Sequence, residues 1–146
     1  TVSHNNGLGD YLTEDKAILS DYIHQTSFEF IDLMPRGKHP YNPASLLSTD
    51  KFANMMIQLV ASYDYIIIDT PPVLAVSDAI ITAQYADKVL MVTRYDSSIE
   101  GQLAYAVKQM QKSNINVDGI VLNDVIQGIT DKYSYHYSYA YGNSKD

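Results

Sequence analysis

Between residues 63 and 123 the chain alternates short apolar runs with amphipathic stretches. The runs 63–69 (YDYIIID), 88–93 (KVLMVT) and 118–123 (DGIVLN) are each four to eight residues of mainly apolar character, the length and composition of buried strands. Residues 77–85 read as a short helix. Glu100–Lys112 reads as a longer one, with Leu103, Ala106, Val107 and Met110 on one face. Ser97 and Glu100 are spaced as a capping box, each able to satisfy a free amide of the first turn. Strands apolar on both faces that alternate with helices imply a parallel sheet covered on both sides. Upstream, Phe52, Met55, Met56, Leu59 and Val60 mark a helix of about three turns, with Ser48 or Thr49 as its cap. Residues 28–34 (FEFIDLM) predict a strand. Residues 35–43 predict a loop, because Pro35, Pro40, Pro43 and Gly37 fall there, and residues 1–9 read as a connection.

Composition narrows the classes. A chain of 146 residues suits one domain with a real core. It has no cysteine, so neither a disulfide framework nor a thiolate zinc site is available. No run approaches the ~18 apolar residues of a membrane span. The net charge of −7 argues against non-specific binding to nucleic acid, which needs a basic face. It does not argue against a nucleotide, whose phosphates can be held by backbone amides and a metal.

Candidate chemistry gathers at the ends of the predicted strands. Asp69 closes the run IIID and is followed by Thr70-Pro71-Pro72. A carboxylate there stands at the rim where open α/β sheets bind ligands, although a strand that merely ends in Asp before a turn is common. Asp78 could be a second acid near the site, but a first-turn aspartate serving the helix dipole is the stronger reading. Asn123 ends the third run; its amide offers a donor and an acceptor, which suits a purine edge and equally a turn. His4, His24, His39 and His136 show no metal-ligand spacing. Arg36, Lys38 and Arg94 are scattered cations. At the C-terminus Tyr133, Tyr135, Tyr137, Tyr139 and Tyr141 alternate with small or polar residues. On residues alone they fit a strand that stacks its rings or a tether of phosphoryl acceptors, and the two readings stand level.

IIIDTPP, the following SDA and the strand-ending VLN resemble the deviant Walker ATPases. PRGKHPYNPASLL together with the tyrosine cluster narrows the resemblance to the bacterial tyrosine kinases, the cytoplasmic domains of polysaccharide co-polymerases. The resemblance covers essentially the whole chain. It implies a three-layer, P-loop-type α/β fold with a mostly parallel sheet, with residues 1–130 as part of the catalytic domain and residues 131–146 as a flexible tyrosine-cluster tail. It implies an ATP-dependent protein-tyrosine autokinase that uses Mg2+ and regulates capsule or exopolysaccharide synthesis and export. Asp69 matches the Walker B aspartate that holds the metal, and Asn123 an adenine-contacting asparagine. Arg36 matches an arginine that pairs with a regulatory phosphotyrosine. The tail tyrosines match acceptors phosphorylated in trans by a neighbouring subunit. The implied partners are further copies in a ring, a low-molecular-weight tyrosine phosphatase and the polysaccharide export machinery. The implied location is the cytoplasmic face of the bacterial inner membrane.

The chain departs from the family pattern in having no Gly-rich loop that ends in Gly-Lys-Ser/Thr and no second acidic strand motif. The phosphate-binding lysine and the catalytic aspartate are therefore expected upstream of Thr1, so that this chain holds no catalytic residue of its own, opens without the first strands of the sheet, and is inactive alone. Two rivals remain. One is a partition or cell-division ATPase of the same superfamily, which has no reason to carry a tyrosine tail. The other is a non-catalytic interaction module that offers its tail for phosphorylation.

Overall fold

The computed structural model describes residues 6–95 and 100–125, which divide into two units, residues 1–86 and 87–146.

The first unit is mainly helical. Helix α1 (Leu8–Thr13) is followed by a 3-10 turn (Leu19–Tyr22), a two-residue antiparallel pair β1 (His24–Gln25) and β2 (Asp32–Leu33), then α2 (Pro43–Leu47), α3 (Asp50–Ser62) and α4 (Asp78–Ala83). Helix α3 starts where its cap is placed: the Thr49 hydroxyl accepts from the Phe52 amide at 3.4 Å, and Asp50 adds an acid to the first turn. Its apolar stripe turns inward. Phe52, Met55 and Met56 are buried with Tyr11, Leu12, Tyr22 and Leu47 in one core. Phe52 meets Tyr85 edge-on at 5.2 Å, and Tyr11 meets Tyr22 at 5.5 Å. Helix α2 begins inside the segment read as loop, because Asn42 caps it by accepting from the Ser45 amide and Pro43 occupies the first helical position.

Two strand expectations are corrected here. In residues 28–34 only Asp32 and Leu33 pair. The chain turns before them: Thr26 Oγ1 accepts from the Phe28 amide and donates to Ile31 O, and Phe30 takes a positive φ of 64°. A hydroxyl that bridges its own loop offers the backbone an alternative to the ladder. Residues 63–69 are not assigned as a strand and have no ladder neighbour among the described residues. A β ribbon gains its hydrogen bonds only from an adjacent strand, and in this run Ile67 is 93% and Tyr65 90% exposed.

The second unit is a βαβ arrangement: β3 (Leu90–Arg94), α5 (Glu100–Lys112) and β4 (Gly119–Asn123). The strands pair in parallel with Leu90 opposite Gly119 and Arg94 opposite Asn123. Asp118 sets that register. Its carboxylate accepts from the Val89 amide and from Lys88 Nζ, each at 2.8 Å, while its own amide donates to Val89 O. Lys88 and then the Val89 amide hold the Asp118 carboxyl below its usual range. Helix α5 has the predicted bounds and buries Ala106 and Met110 from the predicted face. Beyond Lys112 the chain turns at Asn114, whose φ of 60° lets the Ile115 amide return to Met110 O. The expectation of strands buried on both faces does not hold for this pair: Leu90, Val92, Ile120 and Leu122 are exposed. Ser97, one half of the expected capping box, and residues 131–146 lie outside the described residues.

Candidate functional site

A cleft of about 700 Å³ opens in the first unit. Its floor is the core edge, including Leu12, Phe52, Met56 and Ile66. Its polar wall is supplied by Arg36, His39, Asp69, Thr70, Asp78 and Thr82. Of the sequence-predicted residues it thus brings Asp69, Asp78 and Arg36 to one cavity.

Asp69 sits where the extended run 63–69 meets the Thr-Pro-Pro turn. It is exposed, and its carboxylate makes no hydrogen bond or ion pair among the described residues. Pro71 and Pro72 cannot donate, so the turn offers no amide of its own to them. Asp78 begins α4, where a carboxylate complements the free amides of the first turn. Thr82, one turn on, is buried and donates to the Asp78 carbonyl at 2.9 Å.

Arg36 stands in the turn Pro35-Arg36-Gly37-Lys38. The backbone of this turn is held by α1: the Leu8 amide donates to Pro35 O and the Gly9 amide to Arg36 O, both at 2.9 Å. These bonds also satisfy two first-turn amides that a helix leaves free. The exposed Arg36 side chain makes no hydrogen bond or ion pair among the described residues.

Asn123 belongs to the second unit, at the carboxyl end of β4. Its Oδ1 accepts from the Asp124 amide at 2.9 Å, so its Nδ2 is the end left to donate. Beside it Arg94 pairs with Asp124 at 2.7 Å. Tyr133, Tyr135, Tyr137, Tyr139 and Tyr141 lie outside the described residues.

The donor set at Asp69 fits a hard cation. One unpaired carboxylate beside a threonine hydroxyl suits Mg2+, which keeps several waters and takes its remaining ligands from substrate phosphates. Among the described residues no three acidic or histidine side chains gather as an all-protein metal cage.

A family model described as "AAA domain" matches residues 3–135. The chain belongs to that family, among the bacterial tyrosine kinases. It is 37% identical over 132 residues to a protein assigned as a tyrosine-protein kinase in the cps region of Klebsiella pneumoniae, covering 90% of this chain and 18% of that one. It is 34% identical over 137 residues to the tyrosine-protein kinase wzc of Salmonella typhimurium, covering 93% and 19%. The solved kinase domain of the Escherichia coli tyrosine kinase ETK superposes with a TM-score of 0.82 at 31% identity, over 87% of this chain and 49% of that one. The chain thus spans about a fifth of the length of these curated relatives. The fold is the α/β, P-loop type of the bacterial tyrosine kinase domains.

Thr82 on the cleft wall and Asp10 behind the Arg36 turn were not among the sequence candidates, and His39 and Thr70 were noted there without a role at the site. His39 and Thr70 have no spacing signal. Asp10 did have one: it stands three residues after Gly7 and ahead of an apolar pair, the pattern of a helix start.

Proposed function

We propose that this chain is the metal- and base-binding part of an ATP-dependent protein-tyrosine autokinase that acts in capsule or exopolysaccharide export. The reading rests on one observation above all. Asp69 and Arg36 open onto the same cleft in a chain whose likeness to a tyrosine kinase domain runs through 87% of its length.

In this reading the Asp69 carboxylate holds Mg2+, which when bound neutralises charge on the phosphates of ATP. Thr70 supplies a neighbouring hydroxyl. Asn123 donates from Nδ2 to an acceptor on the adenine ring. Arg36 receives the dianion of a regulatory phosphotyrosine, for which a guanidinium is the best-matched donor. Residues 1–130 form the nucleotide-binding part and residues 131–146 the acceptor tail. Tyr133, Tyr135, Tyr137, Tyr139 and Tyr141 accept phosphate from the site of a neighbouring subunit in a ring, at the cytoplasmic face of the inner membrane. A low-molecular-weight phosphatase and the export machinery are its partners.

The test is a substitution in the parent kinase. Asp69→Asn is expected to keep the fold but to lower Mg2+-dependent autophosphorylation by about 10²-fold or more, the scale of a lost charge contact in the transition state. Near-normal phosphorylation would reduce Asp69 to the end of an apolar run.

A further inference from the structure

We infer that Asp10 is the positioning residue for Arg36, and that α1 serves as the clamp that holds the Arg36 turn in place. The inference rests on the reading of Arg36 as a phosphotyrosine receptor and adds a residue to it.

Arg36 is exposed and has no side-chain partner among the described residues. What the structure fixes is the backbone from which its guanidinium reaches. Its backbone is fixed on both sides. Pro35 O and Arg36 O accept from the first-turn amides of α1. On the far side, Asp10 Oδ2 accepts from the Lys38 amide at 3.0 Å and from the Gly7 amide at 3.1 Å. One carboxylate oxygen therefore ties the end of the turn to the start of the helix. The Asp10 side chain is only 12% exposed, whereas the Lys38 ammonium, 3.7 Å from Oδ1, rides on a side chain 85% exposed. The two backbone amides, not the ion pair, are thus the substance of the clamp.

The clamp also explains two glycines. A Cβ on Gly9 would lie 2.1 Å from Lys38 O, and one on Gly37 would lie 2.2 Å from Asp10 Oδ2. Gly37 moreover has a φ of +69°, which a side chain disfavours. The helix start and the Arg36 turn approach so closely that only bare backbone fits between them. Such contact is superfluous for a loop that merely connects β2 to α2. It is what a loop needs if one of its side chains must meet a ligand in a fixed pose. Two amide donors, with the Lys38 charge, also hold the Asp10 carboxyl below its ordinary range, so the clamp is charged at neutral pH.

The experiment uses the 146-residue chain, with N-acetyl-phosphotyrosine amide as the probe. NMR would follow its binding, the relaxation of the Arg36 Nε–Hε group and the exchange of backbone amides. Asp10→Asn is expected to weaken binding roughly three- to tenfold, the factor for re-ordering one long side chain on association. It should loosen the Arg36 Nε–Hε group, with Asp10→Glu recovering part of both effects and Lys38→Ala changing neither. In the Arg36→Ala background Asp10→Asn should have no further effect on binding. An Arg36 side chain equally ordered with and without the Asp10 charge overturns the inference. Should the Asp10 variants not fold, the unaltered chain still decides: the amides of Gly7, Leu8, Gly9 and Lys38 should exchange slowly and together, and Lys38 exchanging like an open loop overturns it. If the chain fails to bind the probe, or Arg36→Ala binds it as well as the unaltered chain, the phosphotyrosine reading falls. The ordering of Arg36 by Asp10 is then still judged by relaxation and exchange.

Discussion

Asp10 and Asp69 are both aspartates of the first unit, yet their surroundings suit them to opposite tasks. Asp10 spends its lone pairs on backbone amides and is nearly enclosed. Asp69 is exposed, and its carboxylate has no hydrogen-bond partner among the described residues. The difference has a pH signature. Because the Asp10 carboxyl is held below its ordinary range in the folded chain, it contributes stability that is fully present above the unfolded carboxylate value of about 4. That contribution is lost as pH falls through the lower folded value. Urea unfolding should therefore show the unaltered chain more stable than Asp10→Asn at pH 7, with the gap closing as pH drops below about 4. A gap that stays constant would mean that Asp10 acts through shape and not charge. A carboxylate partner also sets one tyrosine of the first unit apart. Tyr22 is buried and donates to the Glu14 carboxylate, which with burial pushes its hydroxyl up to about 12. It is therefore closed to modification.

At the scale of elements, α3 is the organising piece of the first unit. It carries three of the seven residues of the core cluster, Phe52, Met55 and Met56. Phe52 is 2% exposed and edge-on to Tyr85, so Phe52→Ala should cost about 3–5 kcal/mol, measured by denaturant unfolding. Thr49→Ala removes the 3.4 Å cap bond and the hydroxyl's 2.7 Å donation to Leu46 O, and should cost about 0.5–2 kcal/mol. If the two changes cost the same, α3 is held by its end and not by its face. At the C-terminus of α3, the Tyr63 hydroxyl donates to Asp32 at 2.8 Å and so ties the helix to β2. That bond raises the Tyr63 hydroxyl above its usual value.

At the scale of the whole molecule two outcomes follow from the proposed function. The chain has no Gly-rich phosphate loop, and backbone amides with a lysine normally supply most phosphate recognition. Calorimetry should find Mg-ATP binding far weaker for these 146 residues than for a chain of the length of the solved kinase domains. Comparable affinities would put the phosphate site within the present residues. The second outcome concerns the tail. Mass spectrometry of protein made with an active kinase should find phosphate on two or more of Tyr133, Tyr135, Tyr137, Tyr139 and Tyr141, and none on buried Tyr22. Each phosphate adds about −1.5 to −2 charges to a chain already at −7. Modified tails should therefore repel one another and loosen an assembly, while a tail of phenylalanines should leave it intact. An unmodified tail would leave the ring-stacking reading as the account of these residues.

What could be read from sequence was what depends on neighbours along the chain. Helix α5 appeared with its bounds, and α3 with its cap, because a 3.6-residue apolar stripe and a hydroxyl before it are local signals. The runs that became β3 and β4 were legible by apolar composition, and Asp69 was legible by its place at the end of another such run. Short α1 and α2 were not: α1 begins within residues read as a connection, and α2 starts at Pro43, the end of a segment whose prolines and glycine read as a loop. The strand expected over residues 63–69 went unpaired, because ladder bonds come from other segments and not from the run itself. Likewise, composition marked residues 28–34 as a strand, but the Thr26 hydroxyl turned the chain within them. Arg36 could be named by motif alone, yet nothing local places it on one cleft with Asp69, 33 positions away. That juxtaposition, and the Asp10 carboxylate behind it, exist only once α1 and the Arg36 turn approach within hydrogen-bonding distance. Close approach between segments distant in sequence is a property of packing, and only the tertiary structure decides it.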